Sequence, residues 1–280
     1  MSNVSSQSRD QVSVPTKNPT KFDAAMVARL ERLYASPQAI AQRTRFRELL
    51  AARPGEIGLD VGCGLGHLAC ELALEVAPDG QIIGIDTSHE MVNAAKTRVE
   101  REGLDHCVEA RPGDAAALDI ANESVDFAVA VQVYSYVHEI ERAVQEATRV
   151  LRKGGRLAVL ETDWDMCTYE SQDPALTRRV LDGRWRFAHS HLPRQLHRFF
   201  RASGLMLVRA DVFPIFETLY DPESFGASLV DIARDAAVRH GIDAAKADAW
   251  ARDIHSRSND GDYFFCANRF IFVAQKSDAS

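Results

Sequence analysis

Runs rich in isoleucine and valine recur at residues 56–61, 81–86, 125–132 and 156–161, with a weaker one at 106–110. Helical stretches at 66–77, 88–102 and 139–151 lie between them. This alternation constrains the chain more than any other feature. Strands separated by a helix cannot be joined by tight hairpins. They pair in parallel, and each helix crosses over one face of the sheet. An open α/β sheet covered on both faces is therefore expected.

The remaining segments attach to that core. Phe22, Met26, Leu30, Leu33 and Tyr34 recur at helical spacing, and Ser36-Pro37 is an N-cap followed by proline at the first helical position. A second helix then runs through Ile40, Phe46 and Leu50 to the stop at "RPG", so 22–54 reads as an N-terminal helical cap. Residues 1–21 are polar, lack the apolar centre of a secretion signal and read as a disordered tail. Past residue 162 the pattern loosens. Residues 163–192 mix polar, aromatic and histidine residues, Pro193 opens a helix ended by Gly204, and strands follow at 205–213 and in the closing "YFFCANRFIFVAQK". Between those two strands, about fifty residues carry helical periodicity through Phe225, Leu229, Ile232, Trp250 and Ile254. The expected domains are thus a core of 55–212 with 263–276, a substrate-facing insertion at 163–192 and a helical lid at 213–262.

Composition bounds the function. The chain has 280 residues, 46% hydrophobic and 26% charged, with no apolar run of membrane-spanning length, so no membrane span is expected. A net charge of −7 repels phosphate backbones and weighs against a nucleic-acid substrate. Five cysteines without paired spacing fit reduced thiols in a cytoplasm and offer no structural zinc site.

The strand ending at residue 61 collapses into "GCGLG", with Gly62, Gly64 and Gly66 at alternate positions ahead of a helix. Glycines there lie outside the carboxyl end of a parallel strand, the edge where open α/β sheets bind ligands. The spacing is G-x-G-x-G, not the G-x-G-x-x-G of a dinucleotide fold, and Asp60 precedes it. An acid at that position suits a cationic ligand better than a pyrophosphate. Asp86 ends the second strand, where a carboxylate accepts from both ribose hydroxyls, unless it caps the next helix, a task that Thr87 or Ser88 would do equally well. Asp114 follows the third strand at the same edge. Three acids at three successive strand ends are hard to explain by capping alone.

The stretches "GLDVGCGLG", "IIGIDTSHEMV", "RPGDAAALDIANESVDFAVAVQVYSYV" and "ATRVLRKGGRL" resemble, in order and spacing, the motifs of the class I S-adenosylmethionine-dependent methyltransferases. The likeness spans about residues 42–161 and is to the small-molecule branch that includes ubiquinone and menaquinone biosynthesis methyltransferases. It implies a Rossmann-like, seven-stranded, mostly parallel sheet with a helical lid, and S-adenosylmethionine as cofactor. Gly62, Gly64 and Gly66 would then lie beneath the methionine moiety, with Asp60 near its ammonium group. Asp86, followed by Thr87, would hold the ribose, and Met91 would pack on the adenine. Asp114 would accept from the adenine amino group, Ala115 would offer its N–H, and Gln132 would line the methionine part. Arg43 would clamp the cofactor carboxylate, with Arg45 a competing choice and a solvated helix face the alternative.

Methyl transfer needs alignment and exclusion of water more than dense catalytic machinery. His138 follows "QVYSYV" and suits a general base, or is a polar neighbour of the next helix. Glu161 is a second catalytic candidate, and Asp163, Trp164, Trp185 and His189 are candidate substrate contacts, against ordinary loop polarity and packing. His189, His191 and His197 lack further ligands for a metal, and none is expected. The aromatics of the two unmatched segments suggest a sizeable, partly apolar acceptor, aromatic or polyketide-like. A nicotinamide dehydrogenase would need a later third glycine and a Tyr-x-x-x-Lys, both missing from the sequence. A cofactor-binding regulatory or partner protein without turnover stays open as the alternative. A homodimer that buries 214–262 competes with the lid.

Overall fold

The computed structural model describes residues 24–182 and 187–277. The expected polar tail and Trp185 lie outside them. Strands β1 (Ile57–Val61), β2 (Gln81–Asp86), β3 (Val108–Pro112), β4 (Val125–Val131) and β5 (Leu151–Thr162) pair in parallel in the order β3-β2-β1-β4-β5. The last long strand, β8 (Phe265–Lys276), runs antiparallel beside β5, and β7 (Leu205–Glu217) runs antiparallel along its far side. These are the seven strands of the sequence reading. An eighth, β6 (Thr168–Tyr169), is a two-residue continuation of the β5 edge onto β8.

Local chemistry sets the element ends. Helix α2 (Pro37–Leu50) starts where the Ser36 hydroxyl accepts from Ala39 N at 3.3 Å, and α4 (His89–Glu102) starts on the Ser88 hydroxyl, which accepts from Met91 N. Helices α3 (His67–Val76), α2 and α4 cover one face of the sheet, where Phe46, Leu72, Ile82 and Phe127 are enclosed. Helices α5 (Ile140–Val150) and α7 (Leu196–Ala202) cover the other, around Tyr134, Ile140 and Phe200. Two expectations shift. Pro193 sits in a 3-10 turn, Leu192–Arg194, so α7 begins after it. The mixed segment holds a further helix, α6 (Pro174–Val180), capped by Asp173 with proline at its first turn, a start signal written plainly in the sequence.

The excursion between β7 and β8 forms α8 (Phe225–Arg239) and α9 (Ala244–Asp260), packed on each other and on α6. Their apolar faces are spent within the chain, in a cluster that takes in Leu33, Tyr169, Phe225, Leu229, Trp250 and Phe265. Helix α1 (Ala24–Ala35) bridges this unit to the sheet. Arg29 pairs with Asp235 of α8 at 3.0 Å, and Glu31 pairs with Arg98 of α4 at 2.8 Å and with His67 of α3 at 3.1 Å. The buried carboxylate of Glu217 fastens the start of α8 to the end of β7. It accepts from Gly226 N at 3.0 Å, the Ser224 hydroxyl at 2.8 Å and the Tyr263 hydroxyl at 3.3 Å. A side chain on Gly226 would meet both Glu217 and Tyr263 at 2.5 Å, which keeps that position bare.

Glu217→Ala strands those donors in a dry site and should cost about 2–3 kcal/mol. Hydrogen exchange should rise in 225–260 while β1–β4 stay protected. Uniform loosening of the sheet instead would show that the α8 anchor is not local.

Candidate cofactor and acceptor site

The parallel strands bring their carboxyl ends to one edge, and the sequence-named acids meet there. Gly62, Gly64 and Gly66 all hold positive φ, 68°, 52° and 78°. At Gly62 an added Cβ would stand 2.4 Å from Val133 Cγ2, because the loop packs on the turn after β4. At Gly64 such a Cβ would meet nothing within 4 Å, so the bare backbone faces open space. Helix α3 then starts at Gly66 with no side-chain cap on its first-turn N–H groups.

Asp60, 2% exposed at the end of β1, has its Oδ2 enclosed without a hydrogen-bond donor. Burial, with the nearby Asp86 charge adding to it, pushes its carboxyl up to about 8. Asp86 is better served. Its Oδ2 accepts from Gly64 N at 3.0 Å and its Oδ1 from Ser88 N at 2.9 Å, which leaves a lone pair on each oxygen. Burial raises its pKa, and backbone N–H groups of Ser88, Gly64 and Thr87 oppose that rise. Helix capping thus falls to Ser88, while Thr87 is exposed. Met91 is buried in the first turn of α4. Asp114 is exposed after β3, its Oδ1 accepting from Ala116 N at 2.9 Å, and Ala115 beside it is buried. Gln132 is a non-glycine residue at φ 58°, held there by the Thr162 hydroxyl, which donates to its Oε1 at 2.9 Å.

Arginine placement differs from expectation. Arg43 is buried, but its Nε is paired with Glu71 at 2.8 Å and its Nη1 donates to the Tyr34 carbonyl at 2.8 Å. It ties α2 to α3 and α1 more than it offers a free clamp. Arg45 is exposed and paired with Asp211 and Glu48, away from the acids.

On the acceptor side the structure sorts the candidates. Glu161 is wholly buried, and its oxygens accept from Val133 N at 3.1 Å, from Ser135 N at 3.2 Å and from the Ser135 hydroxyl. Burial pushes it up to about 7 against those bonds. Both oxygens accept from the turn after β4, an arrangement that positions that turn. Asp163 is likewise engaged. It pairs with Arg194 and caps the Trp164–Met166 3-10 turn through Asp165 N, so it is not presented to an acceptor. Trp164 is buried and stacks on Phe187 at 4.9 Å, and Tyr136 lies 4.8 Å from the same ring. His138 is exposed before α5, as the bland reading of it requires. His189 lies against the turn: its backbone N–H donates to the Ser135 carbonyl at 3.0 Å, and its ring Nε2 is enclosed without a partner. His191 instead pairs with Asp165, His197 is exposed, and no metal-binding cluster occurs among the described residues.

Two residues at this edge escaped the sequence reading. Tyr34 of α1 was counted in an apolar stripe, yet its hydroxyl lies near enough to feel Asp86, Arg43 and Arg269. Arg269 was passed over inside a β-prone strand. The signal was there: Phe265, Ala267, Ile271 and Val273 alternate inward with it, so an arginine shares a buried face.

Residues 59–159 match the family model described as a methyltransferase domain. The chain is 33% identical over 263 residues to an uncharacterized 37.1 kDa protein in a transposon of Streptomyces fradiae, covering 91% of this chain and 73% of that protein. It is 30% identical over 120 residues to demethylmenaquinone methyltransferase of Lactobacillus johnsonii, covering 43% and 49%. The chain spans between 28% and 56% of the length of these and other curated methyltransferases it matches. Phosphoethanolamine N-methyltransferase 2 of Haemonchus contortus, solved with S-adenosyl-L-methionine, shares the fold at TM-score 0.61 and 18% identity, over 92% of this chain and 58% of that one. No described helix is long and apolar enough to cross a membrane.

A carboxyl raised from 3.8 to about 8 means that the folded chain binds the Asp60 proton more tightly than the unfolded chain does. Its contribution to stability is complete below the lower value and is lost as pH rises toward the upper one. Asp60→Asn carries no such titration. Its stability relative to the native chain should therefore grow steadily from pH 5 to pH 8 in denaturant unfolding. A difference independent of pH would show that Asp60 is not held protonated.

Proposed function

We infer that this chain, which belongs to the S-adenosylmethionine-dependent methyltransferase family, moves a methyl group onto a small, partly apolar acceptor. The observation that carries this reading is Asp60: a carboxylate oxygen enclosed without a donor, beside a glycine loop with open backbone. Such an orphan is costly unless a cation meets it. The amino group of the cofactor is that cation, and the donor set around it fits the rest. Gly62, Gly64 and Gly66 would underlie the methionine moiety and Asp86, with its remaining lone pairs, would take the ribose hydroxyls. Met91, Asp114 and Ala115 would flank the adenine, and Gln132 would line the sulfur end. When bound, S-adenosylmethionine supplies a methyl group on a positively charged sulfur.

The chain's own residues then align and dry the reaction. Glu161 holds the turn 133–135 against the glycine loop, so the acceptor meets a fixed wall. Tyr34 of α1 and Phe225 of α8 close the mouth from the other side, and the α1–α8 contact through Arg29 and Asp235 makes cap and lid one cover. His189, expected as a substrate contact, would also receive an acceptor proton on its unpartnered Nε2 beside Ser135. His138 is too exposed for that task.

Five free cysteines fit a reducing cytoplasm, and the charge of −7 argues against a nucleic-acid partner. With the faces of α8 and α9 buried inside the chain, the β7 edge, where Met206, Val208 and Val212 are exposed, is a surface that would serve a homodimer.

Incubation with methyl-labelled S-adenosylmethionine and a panel of phenols, quinones and carboxylic acids should transfer label to at least one member. His189→Ala should slow transfer at least tenfold without changing cofactor affinity. Tight cofactor binding with no transfer to any acceptor would favour a partner protein without turnover.

A further inference from the structure

Arg269 of β8 is 7% exposed, and its Nε–H is enclosed without an acceptor. Among the described residues it forms no ion pair, and its guanidinium rests on the ring of Phe225 at 4.6 Å. Burial lowers its pKa to about 10, with the charges of Tyr34, Glu161, Cys167 and Tyr136 opposing that fall without any of them forming an ion pair. A desolvated guanidinium presents a planar fork of donors, the geometry that takes a carboxylate or a phosphate. Leaving one unpaired inside a protein is unfavourable, which points to a partner that arrives from outside.

Its place in the sheet says which half of the site it serves. Arg269 pairs in register with Thr162 at the carboxyl end of β5, and the Thr162 hydroxyl holds Gln132. The cofactor-facing acids lie on β1 and β2, and β8 stands three strands from β1, about 14 Å across the sheet. Of the two acids that flank Thr162, Asp163 is paired with Arg194, and Glu161, in register with Phe270, accepts from the turn after β4; its charge reaches Arg269 but the two form no ion pair. On its own face Arg269 lies under α1 and α8, near enough to Tyr34 and Tyr136 for their charges to act on each other. It therefore stands at the acceptor end, beneath the cover.

We propose that Arg269 is the specificity residue of the acceptor pocket and that the acceptor is an acid, carrying a carboxylate or phosphate that this buried guanidinium binds. This rests on the methyltransferase reading and deepens it. The aromatic body of such an acceptor would lie along Tyr34, Phe225 and Tyr136, with its methyl-accepting atom turned toward Gln132.

The test uses the full chain saturated with S-adenosylhomocysteine and probes that share an aromatic body with and without an anionic group: phenylacetate against phenylacetamide, and phenyl phosphate against phenol. Calorimetry should show the charged member of at least one pair binding tenfold or more tightly than its neutral partner, and the preferred pair separates carboxylate from phosphate. Arg269→Met should abolish the preference and leave S-adenosylhomocysteine affinity unchanged. Arg269→Lys keeps the charge and guards against a misfolded variant; it should weaken the charged probe severalfold and leave the neutral probe untouched. Equal binding of charged and neutral probes by the native chain, or a preference that survives both substitutions, overturns the proposal. A loss of S-adenosylhomocysteine affinity in Arg269→Lys would move the residue to the cofactor carboxylate and overturn it too. A native chain that binds no S-adenosylhomocysteine would bring down the methyltransferase reading itself, a distinct result.

Discussion

Parallel pairing of β1 with β2 on one side and with β4 on the other governs the rest of the molecule, because it sends three chain reversals out at the same edge. Every crossover helix must then begin there, and α3 and α4 start over the same strip of space. The strand ends cannot hydrogen-bond onward, and the side chains on them, Asp60, Asp86 and Gln132, converge on that strip. Gly62 and Gly64 complete it by keeping the first loop low, packed on Val133 at one glycine and open at the other. The site is a consequence of topology before it is a set of residues.

Two of the enclosed polar atoms without a partner lie along this edge. Asp60 lacks a donor and Arg269 lacks an acceptor, and they stand three strands apart instead of neutralising one another. Gln132 adds a backbone conformation that a side chain disfavours. Around them the polar groups are well met: Glu161 by the turn after β4, Glu217 by the start of α8, Arg98 by Glu31 and the Leu65 carbonyl. Two buried groups thus go without a partner inside the chain, a protonated carboxyl at one end of the edge and a guanidinium at the other, and such groups mark candidate binding positions.

The core was legible in the sequence because its signals are local. Runs rich in isoleucine and valine, Ser36-Pro37 before α2 and glycines at strand ends each announce themselves within a few residues. The acids of the proposed cofactor half were legible as a group, since their strand-end positions set Asp60, Asp86 and Asp114 at one edge. The acceptor half was not, because there the side chains are decided by partners far along the chain. Asp163 looked like a pocket acid until Arg194 reached it, and Glu161 looked like a base until the turn 133–135 closed on it. Tyr34 and Arg269 gain their meaning only when α1, α8 and β8 are folded against one another. The segment 163–192 hid α6 in spite of its Asp173-Pro174 start, because a seven-residue helix has too little periodicity to be seen.

The central claim is that Asp60 waits, buried and protonated, for the amino group of the cofactor. Burial holds its carboxyl near 8, so at neutral pH it carries a proton that it must give up when a cation docks against it. Calorimetric titration of S-adenosylhomocysteine at pH 7, in buffers of different ionisation enthalpy, measures that proton directly. The account predicts release of about one proton on binding to the native chain, and none for Asp60→Asn. Binding enthalpies that do not depend on the buffer would contradict it.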